Sequence, residues 1–61
     1  MTYANELQVI VNNHVNEGDE VSIDFVIETA HQIDENSTHE EIDSDFTRIN
    51  FSDGSYVVYD S

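Results

Sequence analysis

The chain has 61 residues, no cysteine and a formal net charge of −13 at pH 7, with fourteen Asp and Glu against a single Arg and no Lys. A chain this short forms one domain that buries only about 60% of the surface of its unfolded form, and it cannot use disulfides or thiolate chemistry. A surface almost without cations repels nucleic acid and anionic lipid and attracts basic proteins, so the charge excludes a nucleic-acid-binding domain.

The first predicted element is an amphipathic helix over residues 3–16, where apolar side chains recur at helical spacing. Thr2 precedes it as a suitable N-cap, and Gly18 follows it as a suitable C-terminal stop. The opposite side of this helix carries mainly Asn, Gln and Glu. We therefore expect the apolar stripe to face the core of the domain.

Residues 20–35 fit two patterns. Alternate residues from Val21 to Ile27 are apolar, as in a strand, whereas the apolar residues of 23–33 also fit a helix. Length favours the helix, and Ser22 is a suitable N-cap for it. A strand here would leave residues 29–45 as a long unstructured loop, which is uncommon in a small domain. The alternative fold has one helix followed by a three-stranded antiparallel sheet.

The most acidic segment is residues 34–45. Ser37 and Thr38 each stand three residues before a Glu, a spacing typical of a capping box, so we predict a short helical turn around Thr38–Asp43. The alternative is a solvated linker. If the segment is extended, Asp43 and Asp45 lie about 6.6 Å apart on one side.

The C-terminal residues predict a β-hairpin, because Asp53-Gly54 stands between two runs of alternating residues. A two-residue type I′ turn sets the strand register. That register pairs Phe51 with Tyr56 and Ile49 with Val58 on the core face, and Asn50 with Val57 and Arg48 with Tyr59 on the outer face. The predicted fold is therefore α+β, with one or two N-terminal helices packed on a C-terminal antiparallel β-hairpin.

Motifs for catalysis or metal binding are weak. His14, His31 and His39 are not spaced to share a helical face, and no cysteine completes a zinc site. Residues 34–45 loosely follow a calcium-binding EF-hand loop, but His39 stands where that loop requires glycine. No serine has the context of a catalytic nucleophile. We therefore expect a protein without enzymatic activity, metal or cofactor.

The charge is the remaining functional clue, because rows of carboxylates can stand in for DNA phosphates, which recur about every 3.4 Å on each strand. In size, acidity and lack of lysine, the chain resembles the DNA-mimic inhibitors that phages and mobile elements use against host nucleic-acid-binding proteins. We predict a non-enzymatic inhibitor that occupies the basic surface of such a protein. The candidate contacts are Glu17, Asp19, Glu20, Asp34, Glu35, Glu40, Glu41, Asp43 and Asp45.

A second hypothesis is a small interaction or regulatory module, or a homodimer, whose acidity is an adaptation to its solvent. In this case the outer face of the hairpin, with Arg48, Val57 and Tyr59, contacts the partner. No apolar run approaches the roughly 20 residues of a membrane span, and the N-terminus lacks the features of a signal peptide. We expect a soluble, cytoplasmic protein.

Overall fold

The computed structural model describes residues 1–60 and shows two helices followed by a three-stranded antiparallel sheet. The elements are α1 (Tyr3–Asn16), α2 (Ile23–Ile33), β1 (Thr38–Glu41), β2 (Phe46–Asn50) and β3 (Tyr56–Asp60). The strand order is β1-β2-β3. This arrangement confirms the α+β prediction. Within residues 1–60, no helix combines the length and apolar character needed to cross a membrane.

Helix α1 begins and ends at the predicted residues. The Thr2 hydroxyl accepts a hydrogen bond from the Asn5 N–H at 3.2 Å, which caps the N-terminus. At the other end Gly18 has φ +84°, and the N–H of Asp19 donates to the carbonyl of His14 at 3.0 Å. These contacts form a Schellman motif, in which glycine takes the left-handed conformation at low cost.

Helix α2 confirms the helical interpretation of the second segment. The Ser22 hydroxyl accepts a hydrogen bond from the Phe25 N–H at 3.2 Å, as an N-cap does. The helix buries Val26 and Ala30 and ends at Ile33. Its apolar residues therefore follow helical spacing because one stripe of the helix faces the core.

The helices cover one face of the sheet, with α1 packed against α2 and β3, and α2 packed against β2. The side chains of β2 show this arrangement, because Thr47 and Ile49 are buried whereas Phe46 and Arg48 are not. The other face of the sheet has no helical cover. The buried apolar core consists of Ala4, Leu7, Val11, Val26, Ala30, Ile49 and Phe51.

The predicted two-residue turn of the β2–β3 hairpin is wrong. The Phe51 N–H donates to the Ser55 carbonyl at 2.9 Å, and the Gly54 N–H donates to the Phe51 carbonyl at 3.1 Å. Gly54 has φ +89°, whereas Asp53 does not have a positive φ. The loop therefore contains three residues, 52–54, as in a type I turn followed by a glycine bulge. The additional loop residue shifts the strand register by one.

A shift of one residue turns every side chain of β3 to the opposite face of the sheet. The observed pairs are Thr47 with Tyr59, Arg48 with Val58, Ile49 with Val57, and Asn50 with Tyr56. Val57 and Tyr59 consequently pack against the core. The predicted core positions of Tyr56 and Val58 are wrong, since these side chains are 55% and 44% exposed. The predicted burial of Ile49 and Phe51 is confirmed.

The acidic segment forms a strand instead of the predicted helical turn. Thr38–Glu41 pairs antiparallel with β2, and Glu40 lies opposite Arg48. An isolated hairpin is marginally stable, and a third strand satisfies the backbone groups on the open side of β2. Residues 42–45 turn the chain, where an Asp43 carboxylate oxygen accepts hydrogen bonds from the N–H groups of Asp45 and Phe46. The extended spacing of Asp43 and Asp45 is therefore not present.

Candidate functional site

The candidate site is an exposed acidic surface, because residues 1–60 form no pocket. Thirteen of the fourteen carboxylates are exposed, and Asp34 is the buried one. A partner of this protein would therefore meet carboxylates over most of its surface.

Asp34 has a structural role, which corrects its assignment as a candidate contact. Its side chain is buried, and its two oxygens accept hydrogen bonds from the N–H of Ser52 at 2.8 Å and the N–H of Asn36 at 3.1 Å. The hydrogen bond from Ser52 is the main reason that the pKa of Asp34 lies below its ordinary value of 3.8. Asp34 thus connects the end of α2 to the β2–β3 loop. It is not part of the exposed acidic surface.

The β2–β3 loop defines one end of the domain. The carboxylate of Asp53 accepts a hydrogen bond from the N–H of Tyr3, so α1 begins beside this loop. Asp34 contacts Ser52, so α2 ends there. A helix of the length of α1 spans about 20 Å, and the connection between the two helices is therefore remote from the loop. The β1–β2 turn is also remote from the β2–β3 loop, because the two connections lie at opposite ends of β2.

Six of the predicted contacts lie in or next to these two remote segments. Glu17, Asp19 and Glu20 belong to the connection between the helices, and Glu41, Asp43 and Asp45 belong to the end of β1 and the turn after it. All six are exposed. Glu35 lies instead near the β2–β3 loop, and Glu40 lies on the sheet face that carries Arg48. The predicted contacts therefore do not form one continuous row.

The uncovered face of the sheet carries the only Arg or Lys side chain. The guanidinium of Arg48 lies 4.0 Å from the centre of the Tyr56 ring, as in a cation–π contact. Its Nε donates to Asn50 Oδ1 at 2.8 Å and lies 4.0 Å from Glu40 Oε1. These neighbours contact the guanidinium on one side, and the Arg48 side chain stays 38% exposed, so this face keeps one partly accessible cation.

The register also corrects the second set of predicted contacts. Arg48 lies on the outer face as predicted, but Val57 and Tyr59 face the helices. The residues exposed beside Arg48 are instead Phe46, Tyr56 and Val58. Reading Ser52-Asp53-Gly54 as a three-residue loop would have identified them from the sequence, since such loops carry glycine at their last position.

Tyr59 has no polar partner on the inner face. Its hydroxyl oxygen is buried and makes no hydrogen bond within residues 1–60. Burial raises the pKa of Tyr59 above the ordinary value of 10.0, because the apolar surroundings disfavour the phenolate. The phenol therefore contributes to packing and not to acid–base chemistry at neutral pH.

One group of side chains has the composition of a metal site. Ligand atoms of His14, Glu17 and Asp19 lie within 4.8 Å of one another. His14 packs edge-on against Phe25, and its Nδ1 lies 3.4 Å from Asp19 Oδ2. The contact between His14 Nδ1 and Asp19 Oδ2 is sufficient to explain the proximity of these two side chains. The expectation that the histidines do not bind metal stays a prediction.

Comparison of the chain with protein-family models, with curated protein sequences and with solved structures finds no match.

Proposed function

We propose that this is a non-enzymatic cytoplasmic protein that binds the basic nucleic-acid-binding surface of another protein and so blocks access of nucleic acid. The main support is the distribution of charge. Thirteen carboxylates are exposed, while the only Arg or Lys side chain is held between Tyr56, Asn50 and Glu40. A negative potential of this kind accelerates association with a basic surface.

Fixed backbone geometry around the acidic groups also supports this proposal. The Schellman motif at Gly18 holds the backbone between Glu17 and Asp19. In the β1–β2 turn, the Asp43 carboxylate binds two backbone N–H groups and fixes the chain around Asp45. Charges on an ordered backbone lose less conformational entropy on binding than charges on a disordered tail. The two segments therefore suit a partner whose cations have fixed positions.

A second candidate function is an interaction module that binds through the outer face of the sheet. Phe46, Tyr56 and Val58 are 41%, 55% and 44% exposed on this face. Neighbouring exposed apolar side chains on a small domain mark interaction surfaces. The acidity would then have no direct part in recognition.

The experiment begins with capture of partners on the immobilised protein, elution with a salt gradient, and identification by mass spectrometry. The captured protein is then tested for competition between this chain and duplex DNA. Association rates are measured for a variant in which Glu40, Glu41 and Asp45 are changed to amides. The matched control removes the same number of charges from the helices, with amides at Glu6, Asp24 and Glu28.

Competition with DNA, together with slower association of the strand-and-turn variant than of the helix variant, is the result expected from the proposed function. Equal rates for the two variants and the wild type would contradict a contact through β1 and its turn. If Tyr56→Ala instead abolishes binding through faster dissociation while both amide variants bind normally, the second candidate function is correct.

A further inference from the structure

The two edges of the sheet differ in character. On the β1 edge all four residues are exposed, and two of them are Glu40 and Glu41. Short, charged edge strands of this kind discourage pairing with another strand. The β3 edge has the sequence Tyr-Val-Val-Tyr-Asp, with one charge in five residues. Only one of the two edges therefore carries the charges that oppose strand addition.

The hydrogen-bond pattern shows which backbone groups of β3 are free. The Phe51 N–H donates to the Ser55 carbonyl, and hydrogen-bonded pairs alternate with non-bonded pairs in an antiparallel ladder. Val57 and Tyr59 therefore bond to β2. The N–H and carbonyl groups of alternate residues point to the open edge, and these residues are Tyr56, Val58 and Asp60.

The side of α1 next to this edge is also almost free of charge. Helix α1 packs on β3, and His14 contacts Phe25 of α2, so the flank of α1 opposite His14 faces away from α2. Helical spacing puts Gln8, Asn12 and Val15 on that flank, and all three are exposed. The only acidic residue of α1 is Glu6.

We propose that β3 pairs antiparallel with β3 of a second copy of this chain, about a two-fold axis at Val58, to give one continuous sheet. Two molecules of charge −13 repel each other, and they approach at least cost where carboxylates are fewest. The edge of β3, where Asp60 is the one carboxylate of the strand, and the neutral flank of α1 provide such a surface. Interfaces are depleted of charge in the same way at their centres.

The pairing also places opposite charges near each other. With Val58 on the axis, Tyr56 lies opposite Asp60 of the second copy. The guanidinium of Arg48 lies 4.0 Å from the centre of the Tyr56 ring. Each copy therefore brings a carboxylate towards the only Arg or Lys side chain of the other, and the two-fold symmetry repeats this contact. A basic partner strand would meet Arg48 at the same place and be repelled.

The dependence of affinity on salt concentration distinguishes this association from binding to a basic partner. Screening at physiological ionic strength acts beyond about 8 Å and weakens the repulsion between the two acidic copies. The dimer is therefore favoured by added sodium chloride, whereas a complex with a basic protein is weakened by it. Failure of the dimer proposal leaves the proposed function unaffected, and failure of the proposed function leaves the dimer unaffected.

The test is sedimentation equilibrium of the full chain at low and high sodium chloride. The expected result is a mass that rises from the 7.0 kDa monomer to twice that value as salt or protein concentration increases. Val58→Pro removes an N–H at the open edge without removing a bond to β2, and it should stay monomeric. The matched control is His39→Pro, which removes an outward N–H from β1 and should still dimerise. Circular dichroism checks that both variants are folded.

Amide hydrogen exchange of the wild type provides a test that does not depend on variants. The N–H groups of Tyr56, Val58 and Asp60 should become protected under the conditions that give the dimer. A mass that stays monomeric at all salt concentrations overturns the proposal. So does a dimer in which these three amides remain unprotected, or one that His39→Pro disrupts and Val58→Pro does not.

Discussion

The carboxylate of Asp53 accepts a hydrogen bond from the backbone N–H of Tyr3 at 2.9 Å, across fifty residues of sequence. The first N–H groups of a helix have no partner within the helix, and a carboxylate near them is stabilised by the helix dipole. The neighbouring Ala4 N–H donates to the Ser55 hydroxyl at 3.1 Å. The β2–β3 loop thus caps α1 from outside the helix and connects the first element to the last.

Ser55→Ala tests this connection. The variant removes the acceptor of the Ala4 N–H and the hydroxyl that donates to the Asp53 carboxylate, and we expect the free energy of unfolding to fall by about 1–2 kcal/mol. The matched control is Ser44→Ala in the β1–β2 turn, where the hydroxyl is exposed and makes no hydrogen bond within residues 1–60, and it should change stability by less than about 0.5 kcal/mol. Urea denaturation followed by circular dichroism measures both. Equal losses would show that the Ser55 hydroxyl does not cap α1.

Phe51→Ala tests the centre of the core. Phe51 is buried, and its ring lies 6.1 Å from the ring of Tyr3 between centroids. We expect a loss of about 3–5 kcal/mol, which approaches the whole stability of a domain of this size, so the variant should be largely unfolded. Phe46→Ala removes an aromatic ring that is 41% exposed and should leave a cooperative melt. A normal melt for Phe51→Ala would contradict the observed core.

Tyr59→Phe tests whether the Tyr59 side chain is buried without a polar partner on the face of the sheet that the helices cover. The Tyr59 hydroxyl is buried without a partner, so its removal eliminates a desolvation cost, and stability should stay equal or rise by up to about 1 kcal/mol. Tyr56→Phe, on the exposed face, should have no effect. A loss of more than about 1 kcal/mol in Tyr59→Phe, measured by thermal unfolding, would show that this hydroxyl is hydrogen-bonded.

Stability should fall in acid because of Asp34 and Asp53. Hydrogen bonds, chiefly from Ser52 to Asp34 and from Ser55 to Asp53, keep the folded pKa values of both carboxyls below 3.8. A lowered folded pKa means that the stabilisation is complete above about 3.8 and is lost as the pH falls through the folded values. Unfolding free energy measured against pH should therefore drop below about pH 4.

Asp34→Asn should reduce the steepness of this acid-induced loss, since the amide does not titrate, and should lower stability at neutral pH. Glu35→Gln is the matched control, because the neighbouring Glu35 is exposed and its carboxylate holds no backbone N–H within residues 1–60. An acid profile of Asp34→Asn that is parallel to that of the wild type would contradict the assigned role of this carboxylate.

The sequence by itself determined α1 and favoured a helix over a strand for α2, because the interactions that begin and end these helices are local. The Thr2 and Ser22 hydroxyls each cap an N–H three residues ahead, and Gly18 ends α1 within the same short stretch. The apolar spacing then requires each helix to bury one stripe. The net charge of −13 and the exposure it implies for most carboxylates were equally available from the sequence.

Only the tertiary structure decided which side chains of β3 face the helices, that the acidic segment forms a strand, and that Asp34 is buried. One additional residue in the β2–β3 loop moves every side chain of β3 to the opposite face of the sheet. Local sequence did not distinguish the two loop lengths. Strand β1 forms because the open side of β2 provides hydrogen-bond partners that a helical turn at Thr38 cannot use. Asp34 is buried because the N–H of Ser52, 18 residues later, needs an acceptor there. Each of these outcomes depends on groups distant in sequence, which residue patterns within one segment do not encode.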